Sequence, residues 1–193
     1  MRHTLIAAAL LAAPAAVMAE GLSYTYADAR YFSTDSDALS INSQGAALTG
    51  SFAIDSLFFV AGDASYAKSE RFNGGKLDTV TAAVRGGAHY AVTTGLDAVA
   101  SVGALFADIS GSGSLNGRDD NDFGYVAQAG LRLALVPQVE VGGFYSYQSI
   151  FGGNNGAFTG DLQYHVTDKL SLVGSATSGD AADVYALGAR YHF

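Results

Sequence analysis

The stretch Thr79-Val80-Thr81-Ala82-Ala83-Val84-Arg85-Gly86-Gly87-Ala88-His89-Tyr90 decides how this chain folds. Val80, Ala82, Val84, Gly86, Ala88 and Tyr90 occupy one phase; Thr79, Thr81, Ala83, Arg85, Gly87 and His89 occupy the other. Successive side chains of a strand point to opposite faces, so this is a strand with one apolar and one polar face. No 3.6-residue periodicity competes with it.

The same reading extends in both directions. From Phe123 to Leu135, the phase Phe123, Tyr125, Ala127, Ala129, Leu131, Leu133, Leu135 opposes Gly124, Val126, Gln128, Gly130, Arg132, Ala134. At the end, Tyr185, Leu187, Ala189, Tyr191 and Phe193 oppose Ala186, Gly188, Arg190 and His192. Taken along the chain, alternation predicts ten strands, at 22–33, 38–49, 52–66, 77–91, 96–108, 123–135, 139–148, 157–166, 170–177 and 183–193. Alternation is weaker in 22–33 and 170–177, which leaves eight strands as the alternative. Thr49-Gly50-Ser51, Val92-Thr93-Thr94-Gly95, Val136-Pro137-Gln138 and Thr167-Asp168-Lys169 read as tight turns. Between them fall longer polar links: Ser33–Asp37, Ala67–Lys76, Ile109–Asp122, Ser149–Gly156 and Ser178–Ala182. Short turns at one end and longer loops at the other are the habit of outer-membrane barrels.

The first 19 residues are set aside as a signal peptide. Arg2 and His3 form a positive start, Leu5 to Val17 an apolar stretch, and Val17-Met18-Ala19 a small-residue cleavage site. The apolar stretch is well short of the roughly 20 residues that a membrane-spanning helix needs. The mature domain is expected at 20–193. Without Arg2 it keeps nine of the ten basic residues against all 18 acidic ones. An excess of acid disfavours nucleic acid as a partner, because that affinity comes from Lys and Arg on phosphates. Cysteine is absent, which excludes disulfides and thiolate metal sites.

Alternation alone does not distinguish a lipid-facing surface from the core of a soluble exported β protein. Three features favour lipid. Arg30, Arg85, Arg132 and Arg190 sit within strands, whereas Lys68, Lys76 and Lys169 sit in loops or turns. A confined lumen suits the planar fork of Arg, while a water-facing sheet would use Lys freely. Aromatics of the apolar phase collect towards strand ends: Tyr66, Tyr90, Phe106, Tyr125, Tyr145, Tyr147, Phe158, Tyr164, Tyr185, Tyr191 and Phe193. Such rings settle at headgroup level. Strands of about 9–12 residues also match a tilted crossing of a bilayer. The expected fold is therefore all-β, a closed antiparallel up-and-down transmembrane β-barrel.

The run Leu187-Gly188-Ala189-Arg190-Tyr191-His192-Phe193 resembles the terminal-strand signal of Gram-negative outer-membrane proteins. The mature chain is similar to the small outer-membrane β-barrel superfamily that includes the OmpA transmembrane domain and OmpX-like proteins. Leu22-Ser23-Tyr24-Thr25-Tyr26 and Leu187-Gly188-Ala189-Arg190-Tyr191 look like a subgroup of small proteobacterial barrels of unassigned role. The resemblance implies integral outer-membrane placement and recognition by the barrel-assembly machinery. The assembly signal would comprise Tyr185, Leu187, Ala189, Tyr191 and Phe193. It also implies outer-membrane lipid and lipopolysaccharide as surroundings, and a monomer.

The lumen phase carries Asp28, Arg30, Asp63, Arg85, Gln128, Arg132, Glu140, Asp161 and Arg190, with His89, Gln163, His165 and His192 beside them. Mixed acids and bases point to an ion-pair network that fills the interior. The competing reading is a narrow pore whose selectivity these charges set. Arg132 and Glu140 flank the turn at Pro137 and should meet as diagonal neighbours. No nucleophile and base form a catalytic set, and the His-x-Ser pattern of lipid A deacylase barrels and an omptin-like acid and His-Asp set are absent. No enzyme, cofactor or metal is expected. Asp119-Asp120-Asn121-Asp122 lacks the spacing of a calcium loop and reads as a solvated loop tip; bridging through divalent ions to lipopolysaccharide phosphates is its functional alternative. The expected role is a non-enzymatic envelope barrel with exposed loops. A small porin-like channel, or an adhesin acting through 67–76 and 109–122, are the alternatives.

Overall fold

The computed structural model describes residues 22–36, 41–70, 74–117, 119–180 and 182–193. The expected signal peptide at 1–19, its expected cleavage site and Arg118 lie outside the described residues.

Ten strands form one sheet: β1 (Tyr26–Ser36), β2 (Ile41–Ala53), β3 (Phe58–Ser69), β4 (Lys76–Thr93), β5 (Leu96–Ser112), β6 (Asp120–Val136), β7 (Val139–Ile150), β8 (Gly153–His165), β9 (Leu170–Gly179) and β10 (Asp183–His192). Each pairs antiparallel with the next, and β1 closes the ring on β10 through Asp28↔Arg190 and Ala29↔Ala189. Closure leaves no free edge, so the wall's backbone groups pair within the sheet. A single 3₁₀ turn at Gly113–Leu115 is the one helical element among the described residues.

The wall is apolar outside. Leu187 is 70% exposed and Val84 64%, with Leu48, Val102 and Leu131 alongside them at mid-height. Tyr31, Tyr66, Phe123, Tyr125, Phe158 and Tyr185 ring the end that bears the longer links. Phe52, Phe58, Tyr90, Tyr191 and Phe193 ring the end that bears the short turns. A surface apolar on every strand, bounded by two aromatic girdles, is unstable in water and suited to a bilayer.

Several boundaries differ from the sequence expectation. Thr49-Gly50-Ser51 is not a turn: β2 runs on to Ala53, and the reversal falls at 54–57. There Asp55 Oδ1 accepts the N–H groups of Leu57 and Phe58, each at 2.7 Å, so the carboxylate builds the turn. The expected loop 149–156 contracts to the two residues Phe151-Gly152, both at positive φ (53° and 67°), as in a type I′ hairpin. The expected loop 109–122 contracts to 113–119 because β5 and β6 continue past the apolar belt. The outer links thus offer less irregular surface than the sequence suggested. Finally, β1 begins at Tyr26; residues 22–25 leave the sheet and turn inward.

Candidate functional site in the barrel lumen

Inward-facing side chains group into two polar walls and a floor. The first wall is built by β1, β8, β9 and β10. Arg30 donates to Asp28 Oδ2 at 2.7 Å, to Asp161 Oδ1 at 3.3 Å and to Ser175 Oγ at 3.2 Å. Arg190 donates to the same Asp28 oxygen at 2.9 Å and to Gln163 Oε1 at 2.9 Å, and its guanidinium lies 3.7 Å from the Tyr26 ring centre. Asp28 therefore answers two guanidiniums at once, an arrangement only Arg's fork supports in so small a space.

Gln163 extends this wall to a cluster of imidazoles. Its oxygen accepts from Arg190, which orients the amide, so its Nε2 donates towards His165 Nε2 (3.0 Å) and His192 Nε2 (3.3 Å). Accepting from Gln163 leaves His165 Nε2 bare and puts that ring's proton on Nδ1. His165 Nδ1 donates to Ser171 Oγ at 3.0 Å, and the same hydroxyl lies 3.1 Å from His192 Nε2. Ser171 sits between two histidines and is 0% exposed.

The opposite wall comes from β2, β3, β4 and β6. Arg85 reaches Asp63 Oδ2 at 2.6 Å and Gln128 Oε1 at 3.0 Å, while Thr49 donates to Asp63 Oδ1 at 3.1 Å. Between the walls lies a cavity of about 270 Å³, bordered by Arg30 and Asp161 on one side and Asp63 and Arg85 on the other. Among the described residues no side-chain hydrogen bond crosses the cavity from Asp28, Arg30, Asp161 or Arg190 to Asp63, Arg85 or Gln128.

The floor is Tyr24. Its ring stacks on His89 with centroids 3.8 Å apart and planes 13° apart, and on Phe59 at 5.3 Å. The Arg132 guanidinium sits 4.5 Å from its centre, and its hydroxyl donates to Asp97 Oδ2 at 2.9 Å. Asp97 Oδ2 is also 3.4 Å from His89 Nδ1. Backbone anchors add to these: Ser51 Oγ donates to Tyr24 O at 2.8 Å, and Arg132 Nη1 to Ser23 O at 3.1 Å. Arg132 Nε donates to Glu140 Oε1 at 2.6 Å. The register pairs Arg132 with Gly142 and Ala134 with Glu140, making the two side chains diagonal neighbours. Phe59 reaches Tyr24 because its ring lies flat across Gly87, where any Cβ would strike it.

Of the lumen residues read from the sequence, Asp28, Arg30, Asp161 and Arg190 share the first wall, Asp63, Arg85 and Gln128 the second, and Arg132 and Glu140 border the floor. Tyr24, Tyr26, Asp97 and Ser171 were not among them. Tyr24 and Tyr26 share the phase of Asp28 and Arg30, and Asp97 that of Ser101, so the signal was present. Tyr185, Leu187, Ala189, Tyr191 and Phe193 all point outward.

At the outer rim the acidic run binds backbone: Asp122 Oδ2 accepts Phe151 N–H at 2.6 Å, and Asp119 Oδ1 accepts Gly111 N–H at 3.2 Å. Among the described residues no group of three or more His, Cys, Asp or Glu could hold a metal ion.

No protein-family model matches the chain, and no curated protein matches it. Among solved structures it is similar to the KdgM porin (11% identity, TM-score 0.47), covering 88% of this chain and 99% of that one. It is also similar to Ail, the attachment invasion locus protein of Yersinia pestis (15%, TM-score 0.47, 87% and 95% covered). A third is the outer membrane protein OprG from Pseudomonas aeruginosa (10%, TM-score 0.47, 87% and 94% covered).

Proposed function

We propose that the chain is an integral barrel of a Gram-negative outer membrane with a closed lumen, non-enzymatic, serving the envelope as a rigid wall with an exposed outer rim. The carrying observation is that the lumenal arginines are matched by acids of the same barrel, with Asp28 bridging Arg30 and Arg190 and with pairs at Arg85–Asp63 and Arg132–Glu140. Such pairs specify one closed arrangement of the wall and present no substrate with an unpaired charge. The apolar exterior supports placement among outer-membrane lipid and lipopolysaccharide. The outward residues of β10 support its reading as the assembly signal, and the absence of a free edge supports a monomer. Purified native protein in planar bilayers should be electrically silent. Steady unitary conductance would replace this reading with the channel.

The channel is the second reading, and the cavity between the unjoined walls favours it. Towards the outer end the lining turns to Ser65, Ala67, Thr79, Thr81 and Ala107, small groups that leave room along the bore.

A further inference from the structure

We propose that the lumen is a cation path barred at its short-turn end by the segment 22–25, with Tyr24 as its gate. This goes beyond the closed-barrel reading, which concerns the native state alone.

The segment is not part of the wall. It leaves β1 just before Tyr26, touches β2, β3 and β4 through Ser51, Phe59 and His89, and reaches Asp97 on β5 and Arg132 on β6, four and five strands away in a ring of ten. In such a ring β6 is diametrically opposite β1, so the segment spans the bore. Elsewhere polar side chains bond along the wall: Arg30 of β1 reaches Asp161 of β8 by way of β10 and β9, and Arg85 of β4 reaches Gln128 of β6. Among the described residues the contacts of the segment 22–25 are the ones that cross. Tyr24 is 6% exposed and closes the space below the 270 Å³ cavity.

Thr25 ties the bar to the ends of β10 and β2, accepting Phe193 N–H at 3.4 Å and Ala53 N–H at 3.1 Å, whereas the Tyr24 ring is held by Asp97 and by ring contacts that support no strand pairing. Removal of the Tyr24 ring therefore opens the bore and leaves the ring of strands intact. A wall strand offers no such option, because losing one would break the sheet.

Charge sets what passes. Asp97 adds a carboxylate beyond the four that match the lumenal guanidiniums. One acid in each wall faces the cavity more openly than its partner: Asp63 and Asp161 side chains are each 32% exposed, against 16% for Arg85 and 17% for Arg30, whereas Asp28 is enclosed between its two arginines at 1%. Asp161 engages only Oδ1 among the described residues. Towards the end that bears the longer links, Asp108, Asp119, Asp120, Asp122, Asp180 and Asp183 outnumber Lys68 and Lys76 among the described residues, and Lys68 already pairs with Asp78 at 3.7 Å. A path lined in this way concentrates cations and repels anions.

The test is conductance of the folded native protein and of Tyr24→Ala in planar bilayers under a potassium chloride gradient, with heat-modifiable gel migration confirming the fold. The native protein should give no steps. Tyr24→Ala should give unitary steps whose reversal potential lies on the cation side. A folded but silent Tyr24→Ala, or an anion-side reversal, overturns the proposal. If Tyr24→Ala does not fold, a chain with 22–25 replaced by glycine takes its place; failure of that chain to fold would make the segment a folding element and also overturn the gate. If the native protein itself conducts, the closed-barrel reading fails. The gate then stands if Tyr24→Ala raises the open fraction and falls if it does not.

Discussion

Arg132 Nε donates to Glu140 Oε1 at 2.6 Å across the turn that joins β6 to β7, and both side chains are less than a tenth exposed. Burial makes this pair costly to break on one side only. Arg132→Met leaves Glu140 charged and unpaired and should lower stability by about 3–5 kcal/mol. The double variant Arg132→Met/Glu140→Leu removes both charges and should recover most of that loss. Urea unfolding in detergent micelles checks both, followed by tyrosine emission because the chain has no tryptophan.

The β7–β8 turn carries a non-glycine residue at φ 53°, Phe151. A left-handed conformation costs an ordinary residue about 1–2 kcal/mol, and Asn tolerates it far better. Phe151→Asn creates an Asn-Gly hairpin turn and should raise stability by about 1 kcal/mol. An unchanged or lower urea midpoint would show that the Phe151 ring contributes more than its backbone costs.

Asp55 sits in the turn between β2 and β3, outside the membrane-spanning segments. The N–H groups of Phe58 and Leu57 hold its carboxyl below the usual carboxylate range. A depressed value means the ionised form is favoured in the fold. Its contribution is therefore present above the unfolded-state value and is lost as pH falls through the folded one. Asp55→Asn should flatten the stability profile on the acid side and leave it unchanged in shape near neutrality. The titration of Asp55 itself, followed by NMR in micelles, should fall below that of an unstructured Asp.

Gly87 supports the floor indirectly. A Cβ at this position meets the Phe59 ring, which itself packs on Tyr24. Gly87→Val should cost about 1–3 kcal/mol through overpacking. Gly86→Val is the control: it faces outward with nothing near its missing Cβ and should be close to neutral.

Ten strands and their facing were legible because each face of the wall meets a different medium, so alternation persists along every strand. Gly50 misled for a physical reason. It is a small outward wall residue with open space around it, whereas the true reversal depends on the Asp55 side chain. The outer links came out too long because polar residues there continue in strands beyond the apolar belt. The polar pairs were legible as composition and phase; their division into two walls was not, since it depends on how the ring closes. Tyr24 was in the right phase, but alternation reads alike whether a segment pairs in the sheet or folds into the bore.

The central claim is that alternate residues of this wall face lipid and a polar lumen. The chain has no cysteine, so single cysteines can carry nitroxide labels without a background. Labels at Leu48, Val102 and Leu187, compared with labels at Ser101 and Ser175, test the claim in liposomes by collision with oxygen or with a water-soluble nickel chelate. The account predicts that the first three meet oxygen and are shielded from nickel, and that the lumenal pair is shielded from the lipid-borne oxygen pool. Free collision of nickel with Leu48, Val102 and Leu187 would contradict it.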